Sequence, residues 1–168
     1  MRTHIRNLVY AAILAALYVA LTTWQNFILP GSATWAIQMR LSEALSVLAF
    51  FTPAAAPGLA VGCLLFNLNY AAALPLDAVV GTLATWLACK AMWMTRNIRF
   101  LGLPLMGLLM PALTNAIFVG WELTVYIGGG FWINALYVAL GEAAVLLIPG
   151  TVLYLAMTKR GLDQKLFG

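Results

Sequence analysis

Long apolar runs follow one another along almost the whole chain, and Arg40, Glu43, Asp77, Glu122 and Glu142 bring charge into them or to their ends. A charge at membrane depth costs several kcal/mol unless it is paired or faces a wet cavity. Such a chain must turn most of its surface to lipid and enclose these few charges in a polar interior. Charged residues make up 8% of the sequence and hydrophobic ones 64%, whereas a soluble domain carries about 25% charged residues. An ordinary soluble fold is thereby excluded. The remaining acid, Asp163, lies in a polar tail and stands apart from the interior set.

A spanning helix takes roughly 20 residues, so 168 residues hold about six with short connections. Punctuation places them. The first runs from about Asn7 to Ile28 and stops at Leu29-Pro30-Gly31-Ser32. The second covers about Trp35 to Phe51 and ends at Thr52-Pro53. A third begins near Pro57-Gly58, with proline in a favourable first-turn position, and fades around Ala73. The fourth starts at Asp77 and reaches about Met94. The fifth spans Leu103 to Ile127, ended by Gly128-Gly129-Gly130, and the sixth covers Trp132 to Thr158. No linker or low-complexity tract interrupts them. The expected architecture is a single all-α domain over residues 1–168, an integral membrane bundle of six transmembrane helices, with no stretch of this sequence left for a soluble ATPase, kinase or nucleic-acid-binding domain.

Arg2 and Arg6 precede the first span, Lys90, Arg96 and Arg99 surround the fourth connection, and Lys159, Arg160 and Lys165 follow the last span. With six spans these places share one side, and positive-inside counting makes that side, with both termini, cytoplasmic. Arg40 is the exception, near the outer end of the second span. The first apolar run exceeds a usual signal-peptide core, so it is expected to remain as a membrane helix. Cys63 and Cys89 show no metal-ligand or redox spacing and read as small apolar core residues.

Arg40 and Glu43 are three apart and are expected to share a helix face, either as a structural ion pair or as the lining of a pocket open to the outside. In the fifth span Asn115, Phe118, Val119, Glu122 and Tyr126 recur at helical spacing. Carboxylate and amide oxygens with aromatic rings suit a flat, nitrogen-rich ligand, although polar residues also join membrane helices to one another. Glu142 lies near the membrane middle, close to the face of Asn134 and Gly141, with Pro149 below it as a source of bending. It pairs with Arg40, takes a ligand donor or relays protons. Asp77 reads as an N-terminal helix cap, and Asn67 and Asn69 close the third span. Four carboxylates against one arginine leave an excess of negative charge, so either some are protonated or the ligand brings cationic and N–H donor groups. Ala12, Ala16 and Ala20 repeat every fourth residue beside Ala11 and Ala15, and Gly58 and Gly62 form a similar pair. Such strips admit another helix closely, from within the chain or from a partner. Neither a phosphate-binding loop nor a Ser/His/Asp or HExxH arrangement is present, and His4 is the only histidine. Transport or binding, without catalysis, cofactor or metal, is the expectation.

The segment Ile37-Gln38-Met39-Arg40-Leu41-Ser42-Glu43-Ala44-Leu45 and, after it, Phe50-Phe51-Thr52-Pro53 and Pro57-Gly58-Leu59 with Gly62-Cys63 and Asn67 resemble the QueT family. The likeness continues through Leu76-Asp77, Gly81-Thr82-Leu83-Ala84-Thr85, Gly120-Trp121-Glu122-Leu123, Phe131-Trp132 and Tyr137-Val138-Ala139-Leu140-Gly141-Glu142. Ala49 and Ala56 depart from the pattern, in apolar positions only. The resemblance implies the substrate-binding S component of an energy-coupling factor (ECF) transporter, six-helical with cytoplasmic termini. It would take up a queuosine precursor, such as 7-aminomethyl-7-deazaguanine, or queuine or queuosine. The energy would come from a transmembrane coupling protein and two ATPase subunits, with the strip of Ala12, Ala16 and Ala20 docking on the coupling protein. In such a pocket Glu122 or Glu142 would accept the two donors of a guanine-like edge, and Glu43 or Asp77 would meet an ammonium group. Arg40 or Asn115 would donate to the carbonyl, with Asn67 nearby, while Trp24, Trp35, Trp121 and Tyr126 would stack on the bicycle. A self-sufficient proton-coupled carrier, titrating at Glu122 or Glu142, is the competing class, and a purely structural membrane subunit the third.

Overall fold

The computed structural model describes residues 2–32, 39–70 and 73–167, and among these every regular element is helical. Helix α1 is Arg2–Ile28, α2 is Leu41–Phe50, α3 is Ala55–Asn69 and α4 is Asp77–Thr95. Helix α5 is Leu105–Tyr126 and α6 is Phe131–Lys159, followed by a short α7 at Leu162–Phe167. Three helices, α1, α5 and α6, are long and apolar enough to cross a membrane.

Helices α1, α3, α4, α5 and α6 pack in that order, each against the next, and α2 sits among them in contact with α1, α3, α4 and α6. Burial on nearly all sides explains its composition, since a helix apolar all round belongs in an interior. The start of the expected second span, at residues 35–38, lies outside the described residues, and the rest differs from the sequence expectation in type. It begins at Leu41 and winds as a ten-residue 3-10 helix. Such helices rise about 2.0 Å per residue, so α2 is slender and extends about 20 Å. Arg40, just before it, is extended, with φ −82° and ψ 109°. Arg40 and Glu43 therefore do not share a helix face. The reason lies on α1, where Gln25 accepts from the Leu41 N–H at 2.7 Å and donates to the Met39 carbonyl, holding the backbone straight.

Close helix approaches depend on missing side chains. A Cβ on Gly58 would lie 2.7 Å from the Ala11 carbonyl oxygen, and one on Gly62 would lie 2.9 Å from that of Ala15. The two small-residue pairs noted separately in the sequence are thus the two halves of one α1–α3 contact. Ala12, Ala16 and Ala20 occupy a different, exposed face of α1.

Helix α5 breaks at Leu109, two residues before Pro111, which has no N–H to donate to the preceding turn. It ends where Gly128 and Gly129 adopt φ of 87° and 80°, a left-handed conformation that glycine takes without steric cost. The Asn134 amide donates to the Gly128 carbonyl and to Thr124, both at 3.0 Å, tying the start of α6 to the end of α5. Asn134 is thus a joint between these helices. The bend expected at Pro149 takes the form of a π-helical turn at Leu146–Gly150, where the widened spiral absorbs the lost donor. The polar tail, expected to lie outside the helices, folds into α7 against α1. The Phe167 ring meets Tyr10 edge-on at 5.2 Å, and the Tyr10 hydroxyl donates to the Leu166 carbonyl.

Candidate ligand-binding site

The interior charges converge on Arg40. Its extended backbone carries the guanidinium inward, where it is buried beside Cys63 Sγ at 3.8 Å and the Phe66 ring at 6.0 Å to the centroid. Four buried carboxyl groups from four elements lie within its electrostatic reach: Glu43 of α2, Asp77 of α4, Glu122 of α5 and Glu142 of α6. Residues far apart in the sequence, from Arg40 to Glu142, thus form one polar centre.

Its members differ in how far the protein satisfies them. Glu43 Oε1 accepts from the Tyr18 hydroxyl at 2.7 Å, while Oε2 has no hydrogen-bond partner among the described residues. Asp77 Oδ2 accepts from the Leu74 N–H at 2.7 Å, closing the turn ahead of α4, and makes no cap bond to that helix. The cap expected from sequence is replaced by this turn because Asp77 is already the first helical residue. Asn67 donates to the Asp77 carbonyl at 2.9 Å and to Cys63 Sγ at 3.5 Å, and its own oxygen is unpartnered. Asn69 is exposed and bonds back to the Leu65 carbonyl at 2.7 Å.

Glu122 and Glu142 stand out. They are 0% and 1% exposed, and none of their four carboxyl oxygens makes a hydrogen bond of standard geometry among the described residues, although the Asp77 carboxyl lies beside Glu122 and the Asn115 amide beside Glu142. A buried acceptor left without a donor costs roughly 1–3 kcal/mol, more when charged. Asn115, also buried, precedes Glu122 by two turns on the inner face of α5, with Val119 between them. Gly120 lets α6 approach this segment, since a Cβ there would meet Ala135 Cα at 2.8 Å.

The aromatic residues fall elsewhere. Trp24 is 57% exposed, Trp121 49% and Tyr126 41%, so these rings occupy outer faces of α1 and α5. Trp35 lies outside the described residues. The rings that do reach the polar centre are Tyr18, through Glu43, and Phe66, beside Arg40. Sequence reasoning passed over Tyr18, although Tyr18, Thr22 and Gln25 recur at spacings of four and three within an apolar span. All three are buried and bond to the segment around α2. Thr22 donates to Ser42 at 2.7 Å, and Gln25 donates to Ser32 at 2.8 Å besides its bonds at positions 39 and 41.

A family model described as QueT transporter matches residues 8–159. The chain belongs to this family. The matched stretch holds the whole polar centre, from Tyr18 to Glu142, and leaves only the extreme N-terminus and α7 outside. Membership of the QueT transporter family together with three long apolar helices makes this a membrane protein. No curated protein and no solved structure matches the chain.

Proposed function

We propose that this QueT family member is the substrate-binding S component of an ECF importer, and that its substrate is a queuosine precursor or a related 7-deazapurine held at the polar centre. One observation carries the reading: Glu122, Glu142 and one oxygen of Glu43 are buried acceptors without a well-formed hydrogen bond among the described residues, gathered around Arg40. A 7-deazaguanine bearing an aminomethyl group complements them, since it offers N1–H, a 2-amino group and an ammonium. A carboxylate accepts the first two together, and a second carboxylate receives the ammonium. Arg40 and the Asn115 amide supply donors for the ring carbonyl, and Asn67 and Asp77 border the same space. Tyr18 and Phe66 are the rings that border this space, whereas Trp24, Trp121 and Tyr126 stay on the outer faces of α1 and α5.

In this reading the bundle crosses the membrane six times, with α2 belonging to one crossing and both termini in the cytoplasm. The basic residues at the N-terminus, at the α4–α5 connection and beyond α6 then share one side. Ala12, Ala16 and Ala20 on the exposed face of α1 dock on a transmembrane coupling protein, which links the chain to two ATPase subunits. The chain itself binds and carries, and does no catalysis.

The same buried carboxyls suit a proton-coupled carrier, so uptake decides between the two. Labelled 7-aminomethyl-7-deazaguanine should accumulate in cells that express the chain with the coupling protein and both ATPases. Expression of the chain alone should give none. Accumulation by the chain alone, abolished by a protonophore, would assign it to the carrier class.

A further inference from the structure

Helix α2 bridges α1 and α6, and on one side this leaves a groove of about 340 Å³ between them, closed at its end by α7. Ile13 and Leu17 of α1, Leu45 of α2, Met157 of α6 and Phe167 of α7 are among its walls. Every lining side chain is apolar except Tyr10, and the Tyr10 hydroxyl is engaged with the Leu166 carbonyl. Ile13 and Leu17 stay about half exposed along it.

Several cations stand close in sequence to residues that line the end of the groove nearest α7. Arg6 lies one turn before Tyr10 on the same face of α1. Lys159 and Arg160 follow Met157, and Lys165 precedes Leu166; all four cations are exposed. Asp163, the one acid of this end, lines a separate cleft with Trp93 and Arg96. An apolar slot open along its length, with positive charge at one mouth, matches a chain of hydrocarbon ending in an anion. Basic sites between transmembrane helices recognise anionic head groups in this way.

We propose that the groove seats an acyl chain of an anionic phospholipid, with the head group against Arg6, Lys159, Arg160 and Lys165. The lipid fills the gap between α1 and α6 and fastens α7 over it. This inference is independent of the substrate, because the groove holds none of the interior carboxyls.

Native mass spectrometry of the full-length protein, with phosphatidylglycerol and phosphatidylcholine of identical acyl chains, tests it. Phosphatidylglycerol should be retained about tenfold more strongly, and Arg160→Gln/Lys165→Gln should remove that preference. Leu17→Trp, or Ile13→Trp should the first variant fold poorly, fills the groove and should abolish retention. Ile117→Trp on the exposed face of α5 should leave it unchanged. Equal retention of both lipids by the parent protein overturns the proposal, as does full retention by the groove-filling variants. A dimer dispersed by Leu17→Trp, with no lipid adduct, would assign the groove to a second copy and overturn it as well.

Discussion

The Tyr18 hydroxyl donates to Glu43 Oε1 at 2.7 Å, inside a membrane protein and with both residues buried. This bond joins α1 to α2 and leaves Glu43 with one committed oxygen and one free for a ligand. Tyr18→Phe strands the committed oxygen and should cost about 1–3 kcal/mol of stability, the range for an orphaned buried partner. The double variant Tyr18→Phe/Glu43→Leu replaces both partners and should recover part of the loss. Thermal melts of the solubilised protein measure this, and strictly additive losses would show that the bond contributes nothing.

Gln25 holds the extended backbone that aims Arg40. Gln25→Leu keeps the side-chain volume but leaves the Leu41 N–H without its acceptor. Ligand binding should weaken by about tenfold or more, because misplacing Arg40 removes a charge-assisted donor. A variant that binds as the parent does would show that Arg40 is positioned by other contacts.

Two small-residue faces of α1 should respond differently to added bulk. At Gly58 and Gly62 a methyl group meets α1 backbone, which cannot yield, so Gly58→Ala should destabilise by about 1–3 kcal/mol. Ala16→Leu on the exposed face should leave both melting and ligand binding intact while preventing association with the coupling protein. Pull-down of the coupling protein from co-expressing cells reads that outcome, and undiminished association would remove this face from the docking surface.

Much of the fold was legible in the sequence because glycine, proline and acids act locally. The end of α5 at Gly128, the start of α4 at Asp77 and the distortion at Pro149 all follow from backbone chemistry. The interior charges were legible too, since lipid leaves few alternatives for Glu122 and Glu142. The direction of the aromatic residues was not. Lipid and a packed interior are equally apolar, so hydropathy does not distinguish Trp121, which faces outward, from Phe66, which meets Arg40. Nor did periodicity reveal the 3-10 winding of α2. The extended Arg40 before it is flanked by the Gln25 bonds to the Met39 carbonyl and the Leu41 N–H, contacts across 14 and 16 positions. The α1 stripe of Tyr18, Thr22 and Gln25 carried a sequence signal that went unread beside the more conspicuous charges.

The most direct test is a titration of the purified, solubilised protein with 7-aminomethyl-7-deazaguanine, queuine, queuosine and guanine, repeated on Glu122→Gln, Glu142→Gln and Asp163→Asn. Glutamine keeps the shape, loses one acceptor and turns an amide donor toward the ligand, so each interior variant should bind at least about tenfold more weakly, about 1.4 kcal/mol. Asp163→Asn, remote in the C-terminal helix, should bind as the parent does. Tight binding of one deazapurine with that pattern is the predicted result. No binding of any of the four compounds, or binding unaffected at both Glu122 and Glu142, would contradict the assignment of the polar centre as the substrate site.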